Sequence, residues 1–126
     1  MAIRWITKQG LLLLHEQSLF EHGGASGIRD EGLLDSALAR PVNVHAYRPE
    51  ATLSELAAAY AFGIAKNHAF VDGNKRAAFA ELGLFLLKNG ASLEATEAEA
   101  TLTMLRLAAG ELTEAELAEW IDGHLG

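Results

Sequence analysis

His68-Ala69-Phe70-Val71-Asp72-Gly73-Asn74-Lys75-Arg76 lies between two apolar stretches of helical spacing, and its reading decides the rest of the chain. Upstream, Thr52-Leu53-Ser54-Glu55 is a capping box, and Leu53, Leu56, Ala57, Tyr60, Ala61, Ile64 and Ala65 follow at helical intervals to about Asn67. Downstream, a second helix is expected over Asn74–Lys88, with Ala78, Leu82, Phe85 and Leu86 inward and Asn89-Gly90 as its stop. The segment between them holds an imidazole, a carboxylate, a glycine turn and two adjacent cations. A connection that only packs needs none of this chemistry.

Outward from this pair, helix follows helix. Thr7–Glu21 carries Leu11, Leu14 and Ser18/Leu19 at roughly helical spacing, and Gly23-Gly24-Ala25-Ser26-Gly27 is a loop. Asp30 suits an N-cap for a short helix over Glu31–Arg40, which Pro41 is expected to stop. Val42–Ala51 shows no helical period, and Arg48-Pro49 favours extended or turn backbone, so an exposed loop or short hairpin is expected there. Glu97–Ala109 reads as a further helix. Thr113 and Glu116 form another capping box with Leu112 and Leu117 as its staple, and Leu117, Trp120, Ile121 and Leu125 are the expected buried face of the last helix. No alternating run is long enough for a central strand. The expected fold class is all-α, as one domain over residues 1–126.

The 126 residues carry a net charge of −7, with half of them hydrophobic and 21% charged. A field of that sign repels phosphate backbones and argues against nucleic acid as a direct partner, so Lys75 and Arg76 read as a local site in an acidic molecule. There is no cysteine, hence no disulfide, thiolate metal site or thiol nucleophile. Apolar runs such as Leu11–Leu14 fall far short of the ~20 residues that span a bilayer. The N-terminus lacks the pattern of a signal peptide, so a cytoplasmic protein with no membrane role is expected.

Each part of the central segment has a physical task. Gly73 can take backbone angles that a Cβ resists, and the free N–H groups of the helix that follows make an anion site with its dipole. Arg76 can grip phosphate oxygens with a planar fork, with Lys75 as a point charge beside it. Asp72 can hold Mg²⁺ against the same phosphates. Asn74 can brace the loop by bonding its own backbone. His68 supplies an imidazole and is the candidate general base for an attacking hydroxyl. Phe70 is expected to point inward and pin the loop. Lys66 is a further phosphate candidate, or simply a solvated helix end. Taken singly, these residues are a cap, a turn and a solvated helix start; their joint order points to phosphoryl or nucleotidyl transfer to a hydroxyl.

The segment resembles the signature of the Fic/Doc superfamily, His-x-Phe-x-Asp/Glu-Gly/Ala-Asn-Gly/Lys-Arg, and Gly27-Ile-Arg29-Asp30-Glu-Gly32-Leu-Leu-Asp-Ser36-Ala-Leu-Ala-Arg40-Pro41 resembles the upstream block of its Doc-like (death-on-curing) members. The resemblance implies a compact all-α Fic/Doc fold with the signature loop between two central helices and a short flap near Val42–Ala51 that docks a target segment as an added strand. It implies His68 as catalytic base, Asp72 as Mg²⁺ ligand, and the loop amides with Gly73, Asn74, Lys75 and Arg76 on the phosphates of ATP. Members that transfer AMP mostly have glycine where this chain has Lys75 and a second arginine where it has Phe79. Doc-like members share the lysine, which goes with a reversed ATP and transfer of the γ-phosphate to a threonine of elongation factor Tu. Gly73, where Doc has alanine, is neutral in that comparison. The self-inhibitory pattern Ser/Thr-x-x-x-Glu has no match, since Ser26 is followed by Asp30 and by Glu31 one step late. The resemblance therefore implies restraint by a Phd-like antitoxin. AMP transfer, or a non-catalytic binding module, is the alternative.

Overall fold

The helix Leu53–Asn67 is buried on nearly every side, because its run of Ala57, Ala58, Ala59, Ala61, Gly63 and Ala65 lets neighbouring helices approach its backbone. It is the third of six helices in a computed structural model that describes residues 2–126. In chain order these are α1 (Lys8–His22), α2 (Glu31–Tyr47), α3 (Leu53–Asn67), α4 (Asn74–Lys88), α5 (Glu97–Ala108) and α6 (Glu114–Asp122). α3 packs against α2, α4, α5 and α6, while α1 and α5 lie on α4. The all-α class is as expected: strand pairing among the described residues is confined to two isolated bridges, Ile28 with Phe70 and Leu93 with Leu125. No described helix is long and apolar enough to cross a membrane.

Local signals set most boundaries. Thr7, Asp30, Thr52, Thr96 and Thr113 each accept a first-turn N–H at a helix start, and three of these sites are full capping boxes. Each such cap stabilises its helix by about 1 kcal/mol. The far end of the core is an aromatic cluster. Trp5 stacks on Phe85 at 6.0 Å, Tyr60 lies 5.1 Å from Phe85, and the Ile6 N–H donates to the Tyr60 hydroxyl at 3.1 Å. Leu112 and Leu117 are both buried at the start of α6.

Three expectations need correction. Pro41 does not stop α2, and Val42–Tyr47 is helix rather than an exposed loop, hairpin or flap. A proline inside a helix forfeits one bond, here to the Ala37 carbonyl, at about 3 kcal/mol. The buried stripe nevertheless runs on at helical spacing through Leu34, Ala37, Pro41 and half-buried Val44, and Ala37 packs directly over Gly63 of α3. Tertiary burial outweighs the lost bond. Only beyond Tyr47 does the chain leave the helix, with Arg48 extended (φ −130°, ψ 88°) ahead of Pro49. Lastly, Leu125 lies outside α6 and is partly exposed, paired with Leu93 instead of packed in the core.

Candidate active site

Where α3 ends, His68 takes up left-handed backbone (φ 49°, ψ 46°), the one non-glycine with positive φ among the described residues. Such a conformation is uncommon for a residue with a Cβ and needs support from its surroundings. Arg29 supplies it. Its Nε donates to the His68 carbonyl at 2.7 Å, and its terminal nitrogen to the Asn67 carbonyl at 3.0 Å. The guanidinium thus satisfies two carbonyls at the negative end of the α3 dipole. The His68 side chain is left exposed toward the loop that follows.

That loop is pinned from two directions. The Ala69 carbonyl accepts the N–H groups of Arg29 and Asp30, and the Val71 N–H donates to Gly27, so Gly27–Asp30 runs beside it as a short antiparallel partner. On the other side, the buried amide of Asn74 accepts the Phe70 N–H and donates to the Phe70 carbonyl, both at 3.0 Å. Phe70 itself is 1% exposed and stacks on His15 of α1 at 3.9 Å.

Asp72 stands on the exposed side of the loop. Its carboxylate accepts the Gly73 N–H at 2.8 Å and the Ala25 N–H at 3.3 Å, and these two bonds, with the charge of Arg76, hold its carboxyl below the usual range. Asp72 is therefore ionised at any physiological pH. Gly73 follows at φ 75°, a conformation glycine adopts freely.

α4 is the helix left open. Five of the six helix starts carry a side-chain cap, whereas Gly73 caps α4 without one. The N–H groups of Asn74, Lys75 and Arg76 therefore lack intrahelical acceptors, and no acidic residue lies in the first turn. Two cations sit there instead, against the helix dipole. Arg76 donates to the Gly23 carbonyl at 3.1 Å, while Lys75 is exposed and in no ion pair among the described residues. An anion at this point relieves the whole arrangement.

The structure brings most of the expected site residues together. A cleft of about 310 Å³ is lined by His68, Val71, Asp72, Gly73, Asn74, Lys75 and Arg76. A second, more apolar cleft of about 530 Å³ adjoins it between α1, α4 and α5, bordered by Lys75, Arg76, Phe79 and Met104. Lys66 lines neither. Its Nζ lies over the Phe62 ring at 5.9 Å and beside Gly110, so the structure does not bring it together with the other expected site residues. The Asn74 side chain is engaged with Phe70, so only its backbone N–H faces an anion. The Gly73 N–H is likewise taken, by Asp72.

Sequence reasoning gave no role to three residues that the structure makes prominent. Arg29 was legible only as part of a block. His15 stands in no motif of the sequence, yet it lies 2% exposed beneath the loop. Glu81 is fully buried in α4 with neither carboxylate oxygen hydrogen-bonded, and burial pushes its carboxyl up to about 8.

Residues 5–86 match the Fic/DOC family. The chain is 32% identical over 117 residues to the Protein kinase doc of Escherichia phage P1, which covers 93% of this chain and 92% of that protein. It is 47% identical over 74 residues to the Toxin Doc of Mycolicibacterium smegmatis, covering 58% of this chain and 57% of that one.

Proposed function

We propose, from the premise that this chain belongs to the Fic/DOC family, that it is a Doc-like toxin kinase. It transfers the γ-phosphate of ATP to a Ser/Thr hydroxyl of a bacterial protein, elongation factor Tu being the target the likeness implies, and so halts translation. The observation that carries the reading is the open N-terminus of α4, with Lys75 and Arg76 in its first turn, Asp72 just before it and His68 in the same cleft.

In this reading the phosphates of ATP lie on the free N–H groups of Asn74, Lys75 and Arg76, and the Arg76 guanidinium adds a fork of donors. Asp72 fits Mg²⁺, which typically takes one or two carboxylates and completes its shell with phosphate and water. Its two backbone hydrogen bonds fix the carboxylate while leaving further lone pairs outward. When bound, Mg²⁺ neutralises phosphate charge. His68 takes the proton from the target hydroxyl, whose oxygen attacks the γ-phosphorus; the bond to the β–γ bridging oxygen breaks and ADP leaves. Lys75 stabilises the charge that develops. Restraint comes from a Phd-like antitoxin, in keeping with the toxin name of one relative.

The test incubates purified protein with elongation factor Tu, Mg²⁺ and γ-labelled ATP, with His68→Ala as control. Labelled target with the parent chain and none with a folded His68→Ala variant is the expected result. A fully active His68→Ala protein would remove the general-base role.

A further inference from the structure

Beneath the signature loop lies a side chain that the proposed chemistry does not use. His15, on α1, is 2% exposed, and its ring stacks nearly parallel on Phe70 (3.9 Å between centroids, 22° between planes). Its Cε1 would stand 3.0 Å from a Cβ placed on Gly73. The ring therefore supports the loop at two points, one on each side of Asp72. Neither ring nitrogen has a hydrogen-bond partner, although both are buried. A buried polar group left unpaired is destabilising, and phenylalanine would fill the space without that cost. Desolvation by burial lowers the imidazole below its usual range and outweighs the Asp72 backbone, which acts on the ring in the opposite sense, so His15 is neutral with one N–H to donate.

We propose that His15 is a positioning residue: seated under the Phe70–Gly73 loop, it donates its N–H to the Asp72 backbone carbonyl when nucleotide binds and so holds the loop in place. The catalytic part of this inference rests on the kinase reading, because Asp72 and the α4 amides are what the loop presents. A small shift of the Asp72 peptide moves its carboxylate, which is bonded to the Gly73 N–H at the start of α4. His15 touches no substrate. It acts through the loop alone.

The test uses two variants with opposite properties. His15→Phe keeps the ring and the stack on Phe70 but has no N–H. His15→Gln loses the ring but keeps a donor at similar reach. Amide hydrogen exchange over residues 70–76 is measured in the presence of Mg²⁺ and ATP, together with the kcat and KM of γ-phosphate transfer. The proposal expects loop exchange about tenfold faster in His15→Phe, with kcat lowered by a similar factor and KM for ATP little changed, and substantial recovery of both in His15→Gln. A His15→Phe protein that matches the parent in exchange and kcat would overturn it. So would equal loss in both variants, which would reduce His15 to packing. The reported exchange pattern in a parent protein that transfers no phosphate would refute the kinase reading and leave the positioning role standing.

Discussion

The side-chain amide of Asn74 occupies both backbone hydrogen-bonding groups of Phe70, its Oδ1 taking the N–H and its Nδ2 giving to the carbonyl, each at 3.0 Å. One side chain thus does for Phe70 what a neighbouring strand would do. It joins the first residue of α4 to the middle of the loop, so the open N-terminus of the helix and the loop carrying Asp72 move as one body.

Asn74→Ala leaves the Phe70 N–H and carbonyl unpaired in a buried place. At about 1–3 kcal/mol for each such group, the expected loss is about 2–6 kcal/mol of folding stability. Chemical denaturation should show this as a lower midpoint, and phosphate transfer should fall with it. Unchanged stability would mean that water or a relaxed backbone replaces the amide.

Arg29 bonds the last two carbonyls of α3 with one planar group, and His68 follows directly from that clamp. A lysine presents a point charge and cannot span both carbonyls in the same geometry. Arg29→Lys should therefore lower kcat by about ten- to a hundredfold while the melting temperature shifts by no more than a few degrees, because the residue is exposed. Steady-state kinetics alongside calorimetry checks both halves of this expectation, and a parental kcat would show that His68 needs no such support.

Glu81 makes the fold less stable as pH rises. Its carboxyl has an ordinary value of 4.5 and is raised to about 8 by burial, so between these values the folded chain holds a proton that the unfolded chain has lost. Below pH 4.5 both forms are protonated and there is no penalty; above 8 both are ionised and the penalty is full. At about 1.4 kcal/mol per unit, the penalty reaches on the order of 3 kcal/mol at pH 7. Glu81→Met, of similar volume and uncharged, should raise the melting temperature by several degrees at pH 7.5 and flatten its decline between pH 5 and 8. Melting curves of parent and variant that stay parallel across that range would show Glu81 to be paired or solvated in solution.

How far the sequence could be read follows from which forces are local. Caps, turns and the helical spacing of α3 and α4 are local, and Thr52, Thr113, Asn89-Gly90 and the glycine loop all lie where the residues indicate. Pro41 misled because the rule for proline weighs one lost bond and ignores the burial beyond it; the stripe Leu34, Ala37, Pro41, Val44 was present in the sequence and passed through the proline. The cleft residues between His68 and Arg76 are contiguous, so their order was enough to group them. Lys66 is nearly contiguous too, but the helix turns it away toward Gly110. Arg29 and His15 act across 39 and 55 residues of chain, on His68 and Phe70 respectively, and only the tertiary fold reveals such pairs.

The most direct test of the central claim is which phosphate of ATP leaves. Parent protein and Lys75→Gly are each incubated with elongation factor Tu and Mg²⁺, using ATP labelled at the α or the γ position. Lys75 is exposed and lines the cleft with His68 and Asp72. The account predicts γ label alone on the target with the parent protein, and a shift toward α label with Lys75→Gly. Transfer of α label by the parent would contradict the kinase reading and make the chain an AMP transferase.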